Sequence, residues 1–338
     1  MKKKIALVTG ICGQDGAYLA ELLLKKNYKV IGADRRSSRN NYWRLKKLKI
    51  LDKIIIEDFE LTEITNIFNL FKKYNFDEVY NLAAQSFVKA SFSTPINTAD
   101  VNSLGVLRIL EVIRSQNKKI KFFQASTSEM IGNSINKSQN ESAKFDPQSP
   151  YGASKVFAHQ IVKNYRDAYG LHACSAISFN HESPLRGEEF VTKKIIKSLA
   201  EIKKKDISSF EIGNLYAKRD WGYAKDYVEA FWKMLQLKNP DDFVIATGKS
   251  YTIKHFLDLS LKKLNFRYKW QGKGMSMKCI DLNSKKIIIK INKKYFRPTE
   301  VHYLHGDYKK AKKELKWKPK TNLKELIHLM CDFELTNS

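Results

Sequence analysis

Cysteine is scarce and dispersed: Cys12, Cys174, Cys279 and Cys331 are the only ones, and no two form a CxxC pair. That excludes a disulfide-stapled scaffold and a zinc ribbon, so no metal site is expected. No apolar run approaches the roughly 18 residues of a membrane span. The opening MKKKIALVTG resembles a signal n-region for four residues, then meets Gly10, Gly13, Gln14 and Asp15, too soon for a signal peptide. A reduced, cytoplasmic protein without membrane association is expected. Acidic residues are also in short supply, 35 against 61 Lys and Arg, for a formal charge of +26. The basic residues are scattered in short runs such as Lys2-Lys3-Lys4 and Lys203-Lys204-Lys205, with no long basic tail. A nucleic-acid partner is therefore not expected, although the charge leaves room for a basic nucleic-acid-binding side activity. The same field would attract a dinucleotide or a nucleotide sugar.

Apolar residues make up 43% of the 338, enough to bury a large core and to exclude disorder. Short β-rich runs at Ile5–Thr9, Lys29–Ala33, Lys53–Glu57, Glu78–Asn81, Lys119–Ala125 and His172–Phe179 alternate with helical patterns. The helical patterns are Tyr18–Lys26, Ile64–Tyr74, Val101–Ser115 and Ser154–Tyr169. This rhythm predicts βαβ units and a doubly wound parallel sheet of Rossmann type. After Asn180 the rhythm breaks, and helices are expected at Phe190–Lys205 and Asp226–Leu237. We read residues 1–180 as a dinucleotide-binding domain and 181–338 mainly as a smaller C-terminal substrate-binding lobe. A segment around 215–240 is expected to return to the first domain.

Gly10-Ile11-Cys12-Gly13-Gln14-Asp15-Gly16 directly follows the first strand and opens a helix. Glycines there let the backbone turn tightly and approach a pyrophosphate, which sits at the positive end of the helix. A ligand-free βα turn is the plainer alternative. The second strand ends Asp34-Arg35-Arg36-Ser37-Ser38. An aspartate suits the ribose 2′-hydroxyl of NAD, whereas arginines and serines suit the 2′-phosphate of NADP. The second signal outweighs the first.

Tyr151 and Lys155 lie four apart at a helix start, on one face. A neighbouring ammonium, with the positive ring of a cofactor, would lower the phenol pKa and make a usable base. Tyr308 and Lys312 repeat the spacing in a charged segment, so the pattern alone is cheap. Ser126-Thr127-Ser128-Glu129 follows an apolar strand, where side chains face the ligand crevice. Its structural alternative is a capping box, Ser126 answered by Glu129.

Together with Asn81-Leu82-Ala83-Ala84-Gln85-Ser86, these motifs resemble the extended short-chain dehydrogenase/reductase superfamily. More narrowly, the chain resembles the GDP-mannose 4,6-dehydratase family. The residues that carry this are Thr9 to Gly16, Arg35 to Ser38, Asn180-His181-Glu182-Ser183-Pro184, Gly213-Asn214-Leu215, Lys218 to Gly222, Lys225-Asp226-Tyr227 and Phe296 to Val301. The resemblance spans nearly the whole chain. It implies a homodimer or homotetramer that eliminates water from a GDP-sugar after internal hydride transfer through NADP. Thr127, Glu129, Tyr151 and Lys155 would be catalytic. Gly10, Gly13, Gln14, Asp15, Arg35, Arg36, Ser37, Ser38, Glu60, Leu61, Ala84, Gln85, Ser86, Lys155, His181 and Arg186 would contact the cofactor. Ser86, Ser128, Asn180, Arg219 and Arg297, with Glu300 beside Arg297, would face the nucleotide sugar.

The chain departs from that family's pattern at Leu185, Phe87, Tyr216, Asn97 and Ile131, and has Glu60 where an aspartate is usual. These changes bear on the sugar and the intersubunit contacts rather than on the reaction class. Alternatives are a dehydratase of another GDP-sugar, such as GDP-manno-heptose or a GDP-amino-sugar, and a nucleotide-sugar epimerase or reductase. A catalytically dead nucleotide-binding subunit would need a broken Thr127, Glu129, Tyr151 and Lys155 set. Finally, the basic, aromatic Arg35–Arg44 stretch is long enough to reach a neighbouring subunit.

Overall fold

Six strands alternate with helices up to Ser178, and a seventh from the later chain joins them in one parallel sheet. The computed structural model describes residues 3–38, 40–133 and 138–337. Arg39, within the basic stretch, and Met1 and Lys2, within the signal-like start, lie outside the described residues. The first six strands are β1 (Ile5–Thr9), β2 (Lys29–Asp34), β3 (Ile55–Asp58), β4 (Glu78–Asn81), β5 (Lys121–Thr127) and β6 (Ala173–Ser178). They are followed by β7 (Asn180–Glu182), β8 (Phe210–Ile212), β9 (Lys218–Tyr223) and β10 (Phe243–Ile245). The last four are β11 (Ser250–Thr252), β12 (Tyr268–Gln271), β13 (Lys278–Asp281) and β14 (Ile287–Ile291).

The large sheet runs β10-β6-β5-β4-β1-β2-β3. Every neighbouring pair in it is parallel. Strand order reverses between β1 and β4, so a crevice opens outside their carboxyl ends. A parallel sheet must be covered on both faces, and two apolar clusters do this. One contains Val8, Tyr80, Phe123, Phe231 and Trp317. The other contains Leu7, Val79, Phe122, Ile109 and Val162.

The later chain divides its loyalties. The helix Ala224–Gln236 packs on Gln14–Lys25, and β10 joins the large sheet beside β6. Trp317 is buried and donates its indole N–H to Asp226 O at 2.8 Å, returning the tail to the first core. Two smaller sheets, β11-β9-β7 and β12-β13-β14-β8, stand apart with their own cluster around Leu199, Phe256, Leu257 and Ile289. Some boundaries differ from the sequence expectation. The run His172–Phe179 ends at Ser178, and β7 then leaves to pair with β9. The helix expected at Val101–Ser115 starts earlier, at Pro95, and passes through a π turn at Asp100–Leu104.

Candidate active site

The glycine loop owes its shape to close backbone approaches. Gly10 has φ +65, and a Cβ there would lie 2.9 Å from Ala83 N. At Gly16 a Cβ would lie 2.3 Å from Gly10 O, so the helix could not seat on the loop. The helix Gln14–Lys25 is N-capped by Gly13, which offers no side-chain cap, leaving its first N–H groups directed at the crevice. This cradle fits a dinucleotide pyrophosphate.

Tyr151 and Lys155 ride on Pro150–Tyr169, whose start and stop are locally encoded. Ser149 Oγ accepts from Gly152 N at 3.0 Å, Pro150 occupies the first turn, and Gly170 closes the helix at φ +69. The face so fixed turns Tyr151, Ser154, Lys155, Ala158 and His159 inward. Lys155 donates to Ala125 O at 3.0 Å, and burial pushes its ammonium down to about 8. Burial pushes Tyr151 up to about 12, opposed by a hydrogen bond with the Thr127 hydroxyl and the Arg186 charge, and reinforced by the Glu129 carboxylate. The Lys155 Nζ is 5.9 Å from the Tyr151 ring centroid while one of its N–H groups donates to the β5 carbonyl.

Thr127 ends β5 and caps the short turn Ser128–Met130, accepting from Glu129 N at 3.2 Å. The cap is therefore Thr127, not Ser126. Ser126 Oγ instead lies 3.2 Å from His159 Nδ1. The Glu129 carboxylate is buried and takes Arg297 NH1 at 3.2 and 3.4 Å.

These groups line a trough of three adjoining cavities. The central one, about 340 Å³, is walled on one side by Gly10, Gly13, Gln14 and Asp15, and by Ala84 and Ser86. Thr127, Ser128, Glu129, Tyr151 and Lys155 form its floor, and Asn180, His181, Arg186 and Arg297 close the far side. A second cavity of about 320 Å³ continues past Gly10 and Ala84 to Arg35, Glu60, Leu61 and Gln85. A third, about 190 Å³, continues past Asn180, Arg186 and Arg297 to Arg219 and Glu300. Arg36, Ser37 and Ser38 stand exposed beyond Arg35. A larger cavity of about 880 Å³, between Tyr28, Lys29 and Ile50, shares no residue with the trough and holds none of these groups. The buried oxygens Gln85 Oε1, Ser178 Oγ and Asn180 Oδ1 lack protein partners, as expected of a wall that awaits a polar ligand.

Charged contacts knit the trough's two sides. His181 Nε2 meets Asp15 Oδ2 at 2.8 Å and its ring stacks on Tyr227 at 4.6 Å. Burial opposes the imidazolium, but the Asp15 carboxylate prevails and raises the His181 pKa. Gln14 donates to His181 O at 3.1 Å and accepts from Ser183 Oγ at 2.6 Å.

Two expectations are corrected here. Glu300 partners Arg219, at 3.0 Å, rather than Arg297. The Arg219 fork is otherwise occupied by Val301 O at 2.6 Å and Lys218 O at 3.0 Å, because β9 runs beside the 301–304 segment. Arg44, read as part of a segment reaching outward, turns inward to Cys12 O at 2.9 Å and Leu185 O at 2.7 Å. Sequence reasoning missed Arg44 and Phe190 as lining residues, and no spacing signal marks either; His159, beside Ser126, continues the four-residue spacing of Tyr151 and Lys155. Tyr308, of the decoy Tyr/Lys pair, packs edge-on against Trp317. Among the described residues no group of three His, Cys, Asp or Glu could hold a metal, and no helix is long and apolar enough to cross a membrane.

The architecture is that of nucleotide-sugar epimerases and dehydratases. UDP-glucose 4-epimerase from Bifidobacterium longum, solved with NAD⁺ and UDP, superposes with a TM-score of 0.83 over 99% of both chains at 20% identity. Sequence narrows this further: residues 7–330 match the family model described as GDP-mannose 4,6 dehydratase. GDP-mannose 4,6 dehydratase 1 of Arabidopsis thaliana is 47% identical, covering 98% of this chain and 90% of the relative. GDP-mannose 4,6 dehydratase of Drosophila melanogaster is 45% identical, covering 99% and 87%. The chain belongs to the GDP-mannose 4,6-dehydratase family.

Proposed function

We propose that the chain converts GDP-mannose to GDP-4-keto-6-deoxymannose with NADP as resident cofactor. The observation that carries this is the Glu129 carboxylate on the floor of the cavity that also holds the Thr127–Tyr151 pair and Lys155. An epimerase or reductase needs the tyrosine and lysine; water loss needs a further base for C5. A nicotinamide dinucleotide held along the glycine cradle would supply the hydride acceptor and donor for this chemistry. Tyr151, assisted by Thr127, takes the proton of the C4 hydroxyl, and the charge of Lys155 favours the phenolate. A ketone at C4 acidifies the C5 hydrogen. Glu129 removes that proton and delivers it to the departing C6 hydroxyl, which leaves as water; restoring the hydride at C6 goes with return of the Tyr151 proton, or one from solvent, to C5.

Arg35 on the wall of the second cavity, with Arg36, Ser37 and Ser38 beside it, supports a 2′-phosphate and hence NADP. We assign residues 1–180 with the returning 215–240 segment to cofactor binding, and 181–338 mainly to the nucleotide sugar. Exposed Ile96, Leu104 and Phe157, on helices that pack together, support a homodimer or homotetramer. A second reading, another GDP-sugar, draws on Phe87, which meets Phe190 edge-on at 6.2 Å in the third cavity.

Product analysis over a panel of GDP- and UDP-sugars tests both. Wild-type protein is expected to dehydrate GDP-mannose, and Glu129→Gln to lose dehydration without weaker binding. Full activity in that variant refutes the assignment of the base.

A further inference from the structure

We infer that Arg297 masks Glu129 and that the diphosphate of an incoming GDP-sugar removes the mask. This rests on the reading that a GDP-sugar is the substrate. Three arginines reach the third cavity, and their commitments differ. Arg219 has only 7% of its side chain exposed, and its fork is held by two backbone carbonyls and Glu300. Arg186 is 16% exposed, paired to Glu182 at 3.1 Å, and lies 3.5 Å from the Phe190 ring centroid. Arg297 is 28% exposed, and its hydrogen-bonded partner is the Glu129 carboxylate. It also stands where the central and third cavities meet, between the sugar floor and the nucleotide end.

A diphosphate offers oxygens that match a guanidinium fork better than one carboxylate does. It therefore competes with Glu129 for Arg297. While the pair is intact, the carboxylate lone pairs face a cation and are poor proton acceptors. Once Arg297 swings to phosphate, the carboxylate lone pairs it held are free to take the C5 proton, with only the longer-range charge of Arg219 remaining. The base is thus armed only when the anionic end of a substrate is seated. This also shields a buried carboxylate when no nucleotide is present, where an unpaired charge would be costly. Arg297 is a positioning residue acting through Glu129.

Competition for Arg297 implies a reciprocal coupling. GDP, which lacks the sugar, is the probe, titrated calorimetrically into cofactor-loaded full-length protein. Glu129→Gln is expected to bind GDP about three- to tenfold tighter than wild type, since no ion pair must be broken. In an Arg297→Met background the same substitution is expected to leave GDP affinity unchanged. An unchanged or weaker affinity in Glu129→Gln overturns the mask. So does an equal gain in both backgrounds, which reports simple repulsion between carboxylate and diphosphate. Absence of GDP binding by the wild type overturns both this inference and the GDP-sugar reading, whereas GDP binding without coupling overturns only this inference. Wild-type protein gives an independent readout that requires no variant to fold: GDP is expected to shift a buried carboxylate infrared band. A spectrum without that shift overturns the mask.

Discussion

Lys155 makes the protein less stable than its fold would permit, and replacing it exposes the size of that cost. Burial takes its pKa from 10.5 to about 8. At about 1.36 kcal/mol per pH unit, the folded state pays on the order of 3 kcal/mol to keep the ammonium charged. The penalty is complete below pH 8. It fades as pH rises from about 8 to 10.5, because the folded protein releases its proton before the unfolded chain does. Lys155→Met removes the penalty and fills similar space, but orphans Ala125 O, which Lys155 meets at 3.0 Å. Leaving that acceptor bare costs roughly 1–2 kcal/mol. The net expectation is a gain of about 1–2 kcal/mol, or roughly 2–4 °C in Tm, near neutral pH. Thermal melts of nucleotide-stripped protein at pH 7 and pH 10.5 check it. Other titrating groups cancel in the difference between variant and wild type. The gap should narrow with pH and turn against the variant near 10.5. A variant less stable at pH 7, or a gap indifferent to pH, refutes the argument. Turnover should be lost regardless, so the site would be one where activity opposes stability.

Four further outcomes are expected. Tyr151→Phe should lower turnover about 10²–10⁴-fold, with C4 oxidation undetectable in single-turnover spectroscopy; a normal rate there contradicts the base assignment. Gly16→Ala, whose Cβ would lie 2.3 Å from Gly10 O, should abolish dinucleotide retention on gel filtration. Gly170→Ala meets nothing within 4 Å and should cost only about 1–2 kcal/mol of left-handed strain, seen in urea melts. Arg35→Ala should weaken NADPH more than NADH by roughly tenfold in fluorescence titrations, since a guanidinium–phosphate contact is charge-assisted.

The alternating first half was legible because its central strands are buried on both faces and its helices carry one apolar stripe. Ile5–Thr9 and Glu78–Asn81 coincide with their expected bounds. The glycine loop was legible through spacing that only a tight turn demands. Pairings made across the chain were not. Glu129 and Arg297 are 168 residues apart, and Arg44 meets Leu185 across 141. Neither contact follows from local periodicity. Glu300 was set beside Arg297 because they adjoin in sequence. The course of the 301–304 segment along β9 turns Glu300 to Arg219 instead. Spacing places Lys155 near Tyr151 but cannot report how much water both lose on burial.

The turn that carries Glu129 continues into Met130 and Ile131, and these bury themselves with Val301 and Leu304 in one apolar cluster. Asn133 stitches the same two stretches, donating to Glu300 O at 2.8 Å and accepting from His302 N at 2.9 Å. The acid and the strap bearing its guanidinium are therefore held by one cluster, and Val156 packs the Tyr151 helix against that same cluster. Reshaping the strap is thus expected to disturb the carboxylate and the phenol together, which limits how far the strap can change.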